Sequence, residues 1–393
     1  MAFSLQILSA LYPEGKFMQL LKPRKKIRYA VVGLGYIAQT AVLPAFRNAR
    51  KNSKLVALVS GDKEKLQKLG DKYRIEKCFL YSEFEDLMKS GEVDAVYIAT
   101  PNFHHRNIME TAASYGVHVL CEKPMAVTTE DCYSMMSEAE KYGIQFMIAY
   151  RLHFEAANLE AIKRAQSKRI GDLKIFNSVF TFQVKDQNNI RLDVVDRGGG
   201  PLYDIGIYCI NASRYLFKSE PLEVFATATS SKDSRFRRND ETISCIMKYP
   251  EGRIANFTVS FGAFASSDYD LIGTKGRIRL EKAYEYTSTM TLKTYEEGKI
   301  FKKRFSKRDQ FAPELIYFSD CIQRKKKVEP SGEEGLMDIK IIEALLLSID
   351  LGSPITLEEI HKRTRPGENQ RINRPAFLQP KLINARGPEG NRH

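Results

Sequence analysis

Three polar residues have the types and spacing that proton-coupled chemistry at a carbon–oxygen bond requires: Lys123, Asp204 and Tyr208. Lys123 stands in Cys121-Glu122-Lys123-Pro124, directly after the apolar run 117–120. Proline pushes the residue before it away from helix toward an extended conformation, which aims the ammonium out of a strand end. Asp204 and Tyr208 lie in Gly198-Gly199-Gly200-Pro201-Leu202-Tyr203-Asp204-Ile205-Gly206-Ile207-Tyr208. A helix beginning near Pro201 places them four apart on one face, so a carboxylate and a phenol converge on one substrate. A phenol titrates near 10 when unperturbed, and a neighbouring cation favours the phenolate; Lys123 is the candidate cation. Such a group can remove a hydroxyl proton as hydride leaves a carbinol carbon, or return it in the reverse direction. The structural alternative packs Tyr208 in a helix core and uses Asp204 as a cap.

A second set of residues could hold the hydride carrier. Gly33-Leu34-Gly35-Tyr36-Ile37-Ala38 follows an apolar run and precedes a helical one, the context in which G-x-G-x-x-A lets a backbone approach a pyrophosphate at a helix N-terminus. The next strand ends at Ser60-Gly61-Asp62-Lys63-Glu64-Lys65. A hydroxyl with nearby cations there suits the 2'-phosphate of NADP better than the bare ribose of NAD, the weaker alternative. Thr100-Pro101-Asn102 follows another strand on the same side; Asn102 could contact a ribose or cap the next helix, and His105 reads as packed or hydrogen-bonded.

These residues need a frame. Apolar runs at 27–32, 55–59, 95–99, 117–120 and 146–149 alternate with helical stretches near 41–49, 63–73, 104–115 and 129–142, which predicts a parallel sheet covered on both faces. Beyond Tyr150, helices are expected near 155–167 and 198–217, with a strand at 173–182. Strands follow at 222–229, 242–249, 253–261, 269–272, 277–281, 290–294 and 299–305. Turns such as Pro250-Glu251-Gly252 make this second sheet largely antiparallel. Helical stretches at 312–323 and 333–351 close the pattern. The expected division is an arm at 1–26, a dinucleotide-binding domain at 27–150, an α+β substrate and oligomerisation domain at 151–357 and a basic tail at 358–393. The tail's prolines and lack of period predict a segment lying along the surface or mobile.

Composition removes competing classes. The 393 residues exceed what one core usually fills, and 43% of them are hydrophobic. No run approaches the roughly 18 apolar residues of a membrane span, and no secretory signal pattern opens the chain, so a cytoplasmic protein is expected. Six scattered cysteines without a C-x-x-C pair read as reduced thiols, and six histidines without ligand spacing predict no metal. The net charge of +13 is spread over three clusters without a nucleic-acid-binding motif beside them, so no nucleic-acid partner is expected.

Taken together, G-L-G-Y-I-A, E-K-P and G-G-G-x-L-x-D-I-G-I-Y resemble the Gfo/Idh/MocA oxidoreductase family over about residues 27–357, and tyrosine at 208 points to its glucose-fructose oxidoreductase branch. The resemblance implies a Rossmann domain followed by an open-faced antiparallel sheet that mediates a homodimer or homotetramer. It also implies bound NADP and a sugar or polyol substrate. Carried over by position, Lys123 and Tyr208 form the catalytic pair and Asp204 orients the sugar. Cofactor contacts fall to Gly33, Gly35, Tyr36, Ile37, Ala38, Ser60, Gly61, Lys65, Thr100, Asn102, His105, Glu122, Lys123, Arg151 and Arg191. The chain has no tryptophan, and Ile190-Arg191 stand where that branch carries tryptophan before arginine. A cofactor-binding sensor without turnover is the alternative on the same fold.

Overall fold

A computed structural model describes residues 25–358 and 365–388. The expected arm up to residue 24 and the tail residues 359–364 and 389–393 lie outside the described residues.

The first sheet has six strands: β1 (Ile27–Val32), β2 (Ser53–Val59), β3 (Lys77–Phe79), β4 (Ala95–Ile98), β5 (His118–Glu122) and β6 (Phe146–Ala149). All are parallel, in the order β3-β2-β1-β4-β5-β6. Central strands bury both faces, which is why they read as continuous apolar runs: every residue of β4 is buried. The strand order reverses between β1 and β4, so a crevice opens at their carboxyl ends. β3 and the short helix Phe84–Lys89 escape a reading of periodicity, because three residues of strand and six of helix are too few to show one.

Gly33 marks the crevice floor. It holds φ +91°, and a Cβ there would sit 2.6 Å from the carbonyl oxygen of Ala99, so only glycine lets the ends of β1 and β4 converge.

The second sheet has nine strands: β7 (Leu173–Thr181), β8 (Glu223–Thr229), β9 (Thr242–Tyr249), β10 (Arg253–Ser260), β11 (Ser266–Gly273), β12 (Gly276–Glu281), β13 (Met290–Glu296), β14 (Lys299–Phe305) and β15 (Ile355–Thr356). Their order is β14-β13-β12-β11-β7-β10-β9-β8-β15. Every pairing is antiparallel except β7 with β10. Alternation along β9 buries Ile243, Cys245, Met247 and Tyr249 on the inner face and leaves Ser244, Ile246 and Lys248 exposed on the outer one. The inner face packs on helices Ala156–Gln166, Ile207–Phe217 and Gly332–Leu351. The bridge between Met147 and Ser331 ties the end of this last helix's approach to β6.

Helix Ala312–Arg324 returns to the first sheet and carries a buried acid, Glu314, whose two carboxyl oxygens have no hydrogen-bond partner among the described residues. Burial, and secondarily the charge of Glu122, pushes its carboxyl well above the usual range. The protonated form is therefore favoured more strongly in the fold than in the unfolded chain. The sign follows: folding favours the protonated acid, so stability contributed by this group falls as the pH rises above the ordinary glutamate range toward the raised folded-state value. Glu314→Gln should flatten the decline of the urea midpoint as the pH rises above the ordinary glutamate range. Parallel midpoint-against-pH curves for the two proteins would rule this out.

Candidate functional site

Four strand ends and the Ile190–Tyr208 region assemble the site. After β1 the chain passes through Gly33, Leu34 and Gly35 into helical turns in which Ala38–Val42 is a π-helix and Leu43–Ala49 an α-helix. The first amides of a helix lack partners within it, so those of Tyr36, Ile37 and Ala38 are available as donors for an anion. Gly35 has no atom within 4 Å of where its Cβ would stand, so the loop leaves room on that side.

At the tip of β2, Ser60 is buried and its hydroxyl accepts from the amide of Asp62 at 3.2 Å. Asp62 caps the helix Lys63–Tyr73, accepting from the Lys65 amide at 2.9 Å. That bond is the main reason its carboxyl lies below the usual range. The ammonium of Lys65 is 3.9 Å from Asp62, and Gly61 lies against the ring of Tyr81.

The end of β4 supplies Thr100 and Asn102. The Thr100 hydroxyl is buried without a hydrogen-bond partner among the described residues, a donor and acceptor at the crevice that a polar ligand would satisfy. Asn102 departs from the expected helix cap: its amide donates to the carbonyl of Gly198 at 2.8 Å, pinning the glycine triplet to the first sheet. His105 is fully buried; its ring nitrogens lie 3.0 Å from the carbonyls of Thr100 and Pro124. It therefore braces the turns after β4 and β5 from behind, and burial holds its imidazole below the usual range. Glu122 is likewise buried, accepting from the hydroxyl of Tyr97 at 2.8 Å. Burial raises its carboxyl, with Lys123 pulling the other way.

Lys123 is brought to Asp204 across 81 positions of sequence: its ammonium donates to the Asp204 carbonyl at 2.7 Å and to Oδ1 at 3.2 Å. The other carboxylate oxygen, Oδ2, accepts from Arg191 Nε at 2.6 Å. Burial alone would raise the Asp204 carboxyl, but Arg191 and then Lys123 outweigh it and bring it down to about 2. Burial likewise lowers Lys123, yet Tyr208, Asp204 and Glu122 together hold its pKa above the ordinary lysine value.

Tyr208 stands between two cations. Lys123 Nζ is 4.8 Å from its ring centroid and the Arg151 guanidinium 5.0 Å. Arg151 is buried, donates to Gln310 and to the carbonyl of Tyr284, and lies 5.3 Å from the ring of Tyr286. Phe180 and Tyr284 pack against Tyr208 from the second sheet at centroid distances of 5.7 and 5.9 Å. The expected single helix from Pro201 is in fact two: Leu202–Gly206 is a π-helix and regular α-helix begins at Ile207. Across this junction Asp204 and Tyr208 still meet at Lys123, Asp204 through its hydrogen bonds and Tyr208 through its ring.

Lys123, Asp204, Tyr208, Arg151 and Arg191 thus form one cluster, while Glu122, His105 and Asn102 support it from behind or from the side. Phe180, Tyr284, Tyr286 and Gln310 carry no motif in the sequence and enter the site only through the folding of the second sheet. The residues present suit a dinucleotide: a glycine loop with room beside it, a hydroxyl and a lysine at the β2 tip, and an unsatisfied hydroxyl after β4. Among the described residues no group of acidic, histidine or cysteine side chains could hold a metal, and no helix is long and apolar enough to cross a membrane.

Comparison with known proteins agrees with this architecture. Residues 27–150 match the model of an oxidoreductase family with an NAD-binding Rossmann fold, and residues 159–279 match the GFO/IDH/MocA C-terminal domain. The chain is 32% identical over 337 residues to D-xylose 1-dehydrogenase [NADP(+)] of Haloarcula marismortui, covering 84% of this chain and 93% of that protein. The crystal structure of aldose-aldose oxidoreductase from Caulobacter crescentus, complexed with glycerol, superposes with a TM-score of 0.81 at 34% identity, over 85% of this chain and all of that one. A 3-ketoreductase from Actinomadura kijaniata shares the fold, with a TM-score of 0.76 at 22% identity over 83% of this chain and 98% of that one. With both halves of its fold matched in sequence and in structure, the chain belongs to the Gfo/Idh/MocA oxidoreductase family.

Proposed function

We propose that the protein is an NADP-dependent oxidoreductase acting at a carbinol or carbonyl carbon of a sugar or polyol, with Tyr208 and Lys123 as its proton-transfer pair. The observation that carries this reading is Tyr208 held between two cations, Lys123 after β5 and Arg151 after β6, at the carboxyl ends of the first sheet. The names of the xylose dehydrogenase and the aldose-aldose oxidoreductase support the cofactor and the substrate class.

In this reading Gly33, Gly35 and the amides of residues 36–38 hold the pyrophosphate, and Ser60 and Lys65 take the 2'-phosphate. Bound NADP supplies the acceptor or donor of hydride. The Tyr208 hydroxyl meets the substrate oxygen and moves its proton, and Lys123 and Arg151 favour the negative charge that develops on the phenol during transfer. Asp204 keeps Lys123 and Arg191 in place, so its contribution is to position the cations as well as to border the substrate. Residues 27–150 serve the cofactor, residues 151–357 the substrate and association through the open sheet face, and the chain works in the cytoplasm as a homodimer or homotetramer.

If cofactor stays bound between turnovers, one sugar is oxidised and a second is reduced at the same site. The test is absorbance of the NADP-loaded protein at the reduced-nicotinamide band across a panel of aldoses, ketoses and polyols. A reducing sugar should bring the band up, and a second sugar should bleach it. Cofactor binding without any spectral change would instead indicate a sensor.

A further inference from the structure

The tail does more than lie on the surface. Residues 383–388 cross the mouth of the crevice and bond to three separate elements around it. At the glycine-loop helix, the buried side chain of Gln39 pairs twice with the backbone of Ile383, donating to its carbonyl and accepting from its amide at 2.8 Å each. At the β2 tip, the Asn384 amide donates to Asp62 Oδ2 at 3.1 Å and to Glu64 Oε2 at 2.9 Å. On the far side, the Lys185 amide donates to the carbonyl of Pro388 at 2.9 Å, and Arg386 pairs with Asp186 at 3.5 Å. Between these anchors Gly387 lies so near Tyr36 of the glycine loop that a Cβ would come within 2.8 Å of the ring.

We propose that residues 383–388 are a strap that completes the cofactor site, retains the dinucleotide and favours its 2'-phosphate form. The inference rests on the NADP reading above. Its two halves have separate causes. The strap spans from the glycine loop and the β2 tip to the segment after β7 that leads into Arg191, so a dinucleotide lying along the strand ends leaves only if those bonds open. Asn384 donates to the free oxygens of the two carboxylates nearest Ser60 and Lys65, whose other oxygens are held by the Lys65 amide and by Lys68; without it more of their charge faces the position of a 2'-phosphate and repels it.

The test uses full-length protein loaded with NADPH and mixed with an enzyme that consumes any released NADPH, following the loss of protein-bound nicotinamide fluorescence. Deletion of residues 381–393 should speed release roughly tenfold or more, since retention acts mainly through the dissociation rate. Gly387→Leu, which wedges the strap off Tyr36 while leaving the chain whole, should do the same. Asn384→Ala should lower the ratio of NADPH to NADH affinity several-fold. Release at the wild-type rate in both the deletion and Gly387→Leu overturns the strap, even where all proteins load normally. A wild-type protein that takes up neither NADPH nor NADH overturns the functional reading and the strap with it.

Discussion

Tyr208→Phe should lower turnover by roughly 10² to 10⁴ while cofactor uptake and the melting temperature stay close to wild type. The substitution keeps the ring, so the packing against Phe180 and Tyr284 and the two cations over its face are retained, and only the hydroxyl is lost. Lys123→Met should reach a similar loss by a different route. It removes the ammonium beside the phenol and leaves Asp204 with Arg191 as its remaining cation partner. The measurement is the single-turnover rate of reduction of bound NADP by a saturating sugar, which separates chemistry from product release. Near-wild-type rates in both variants would remove the pair from the mechanism.

The pH dependence adds a constraint on the same cluster. Asp204, held near 2 by Arg191 and Lys123 against burial, stays ionised until the pH falls through that value. Stability and order contributed by this carboxylate are therefore fully present above the ordinary aspartate range, about pH 4, and are lost only below it. Any acid limb of activity between pH 5 and 7 then belongs to another group. Asp204→Asn should shift that balance by leaving Lys123 and Arg191 close together with no charge between them, and should raise KM more than it changes NADP affinity.

Much of this site can be read from the sequence because its key residues sit in turns with strong local causes. The glycine loop, the E-K-P turn and the D-I-G-I-Y helix each announce themselves by glycine, proline or helical spacing. What joins them is not local. Lys123 meets Asp204 across 81 positions, and the Asn102 bond to Gly198 spans 96. No periodicity encodes such pairings. The π-helical start at Leu202–Gly206 is hidden for a related reason, since one extra residue in a turn leaves the apolar pattern nearly unchanged. The tail is the extreme case. With four prolines and no period it reads as surface chain, yet specific backbone pairing to Gln39 places it across the crevice.

The largest effect on stability should come from Arg214→Met, far from the reacting atoms. Arg214 is wholly buried on the helix Ile207–Phe217, six residues beyond Tyr208, the site's last residue on that helix. Its guanidinium bonds Glu220 through Nε and Nη2 at 2.5 and 2.9 Å, and reaches Glu334 at 2.9 Å and Asp338 at 2.5 Å. Arg365 is a second cation on Glu220 at 2.6 Å. Asn211 and Tyr150 complete the set, donating to Asp338 at 3.0 and 2.6 Å. Three buried carboxylates thus depend on two guanidiniums, and burial already pushes Asp338 upward despite Arg214. Methionine fills much of the volume but supplies no charge, so breaking the network should cost about 3–5 kcal/mol, a large share of the whole stability of a folded domain. A fall in melting temperature of roughly 10 °C or more is expected by calorimetry at pH 7. The deficit should shrink as the pH is lowered toward 5, because carboxylates stripped of their cation titrate higher and become neutral in the fold. Adding Glu334→Gln and Asp338→Asn to the Arg214→Met protein should recover part of the loss for the same reason. A pH-independent deficit would instead assign the effect to packing.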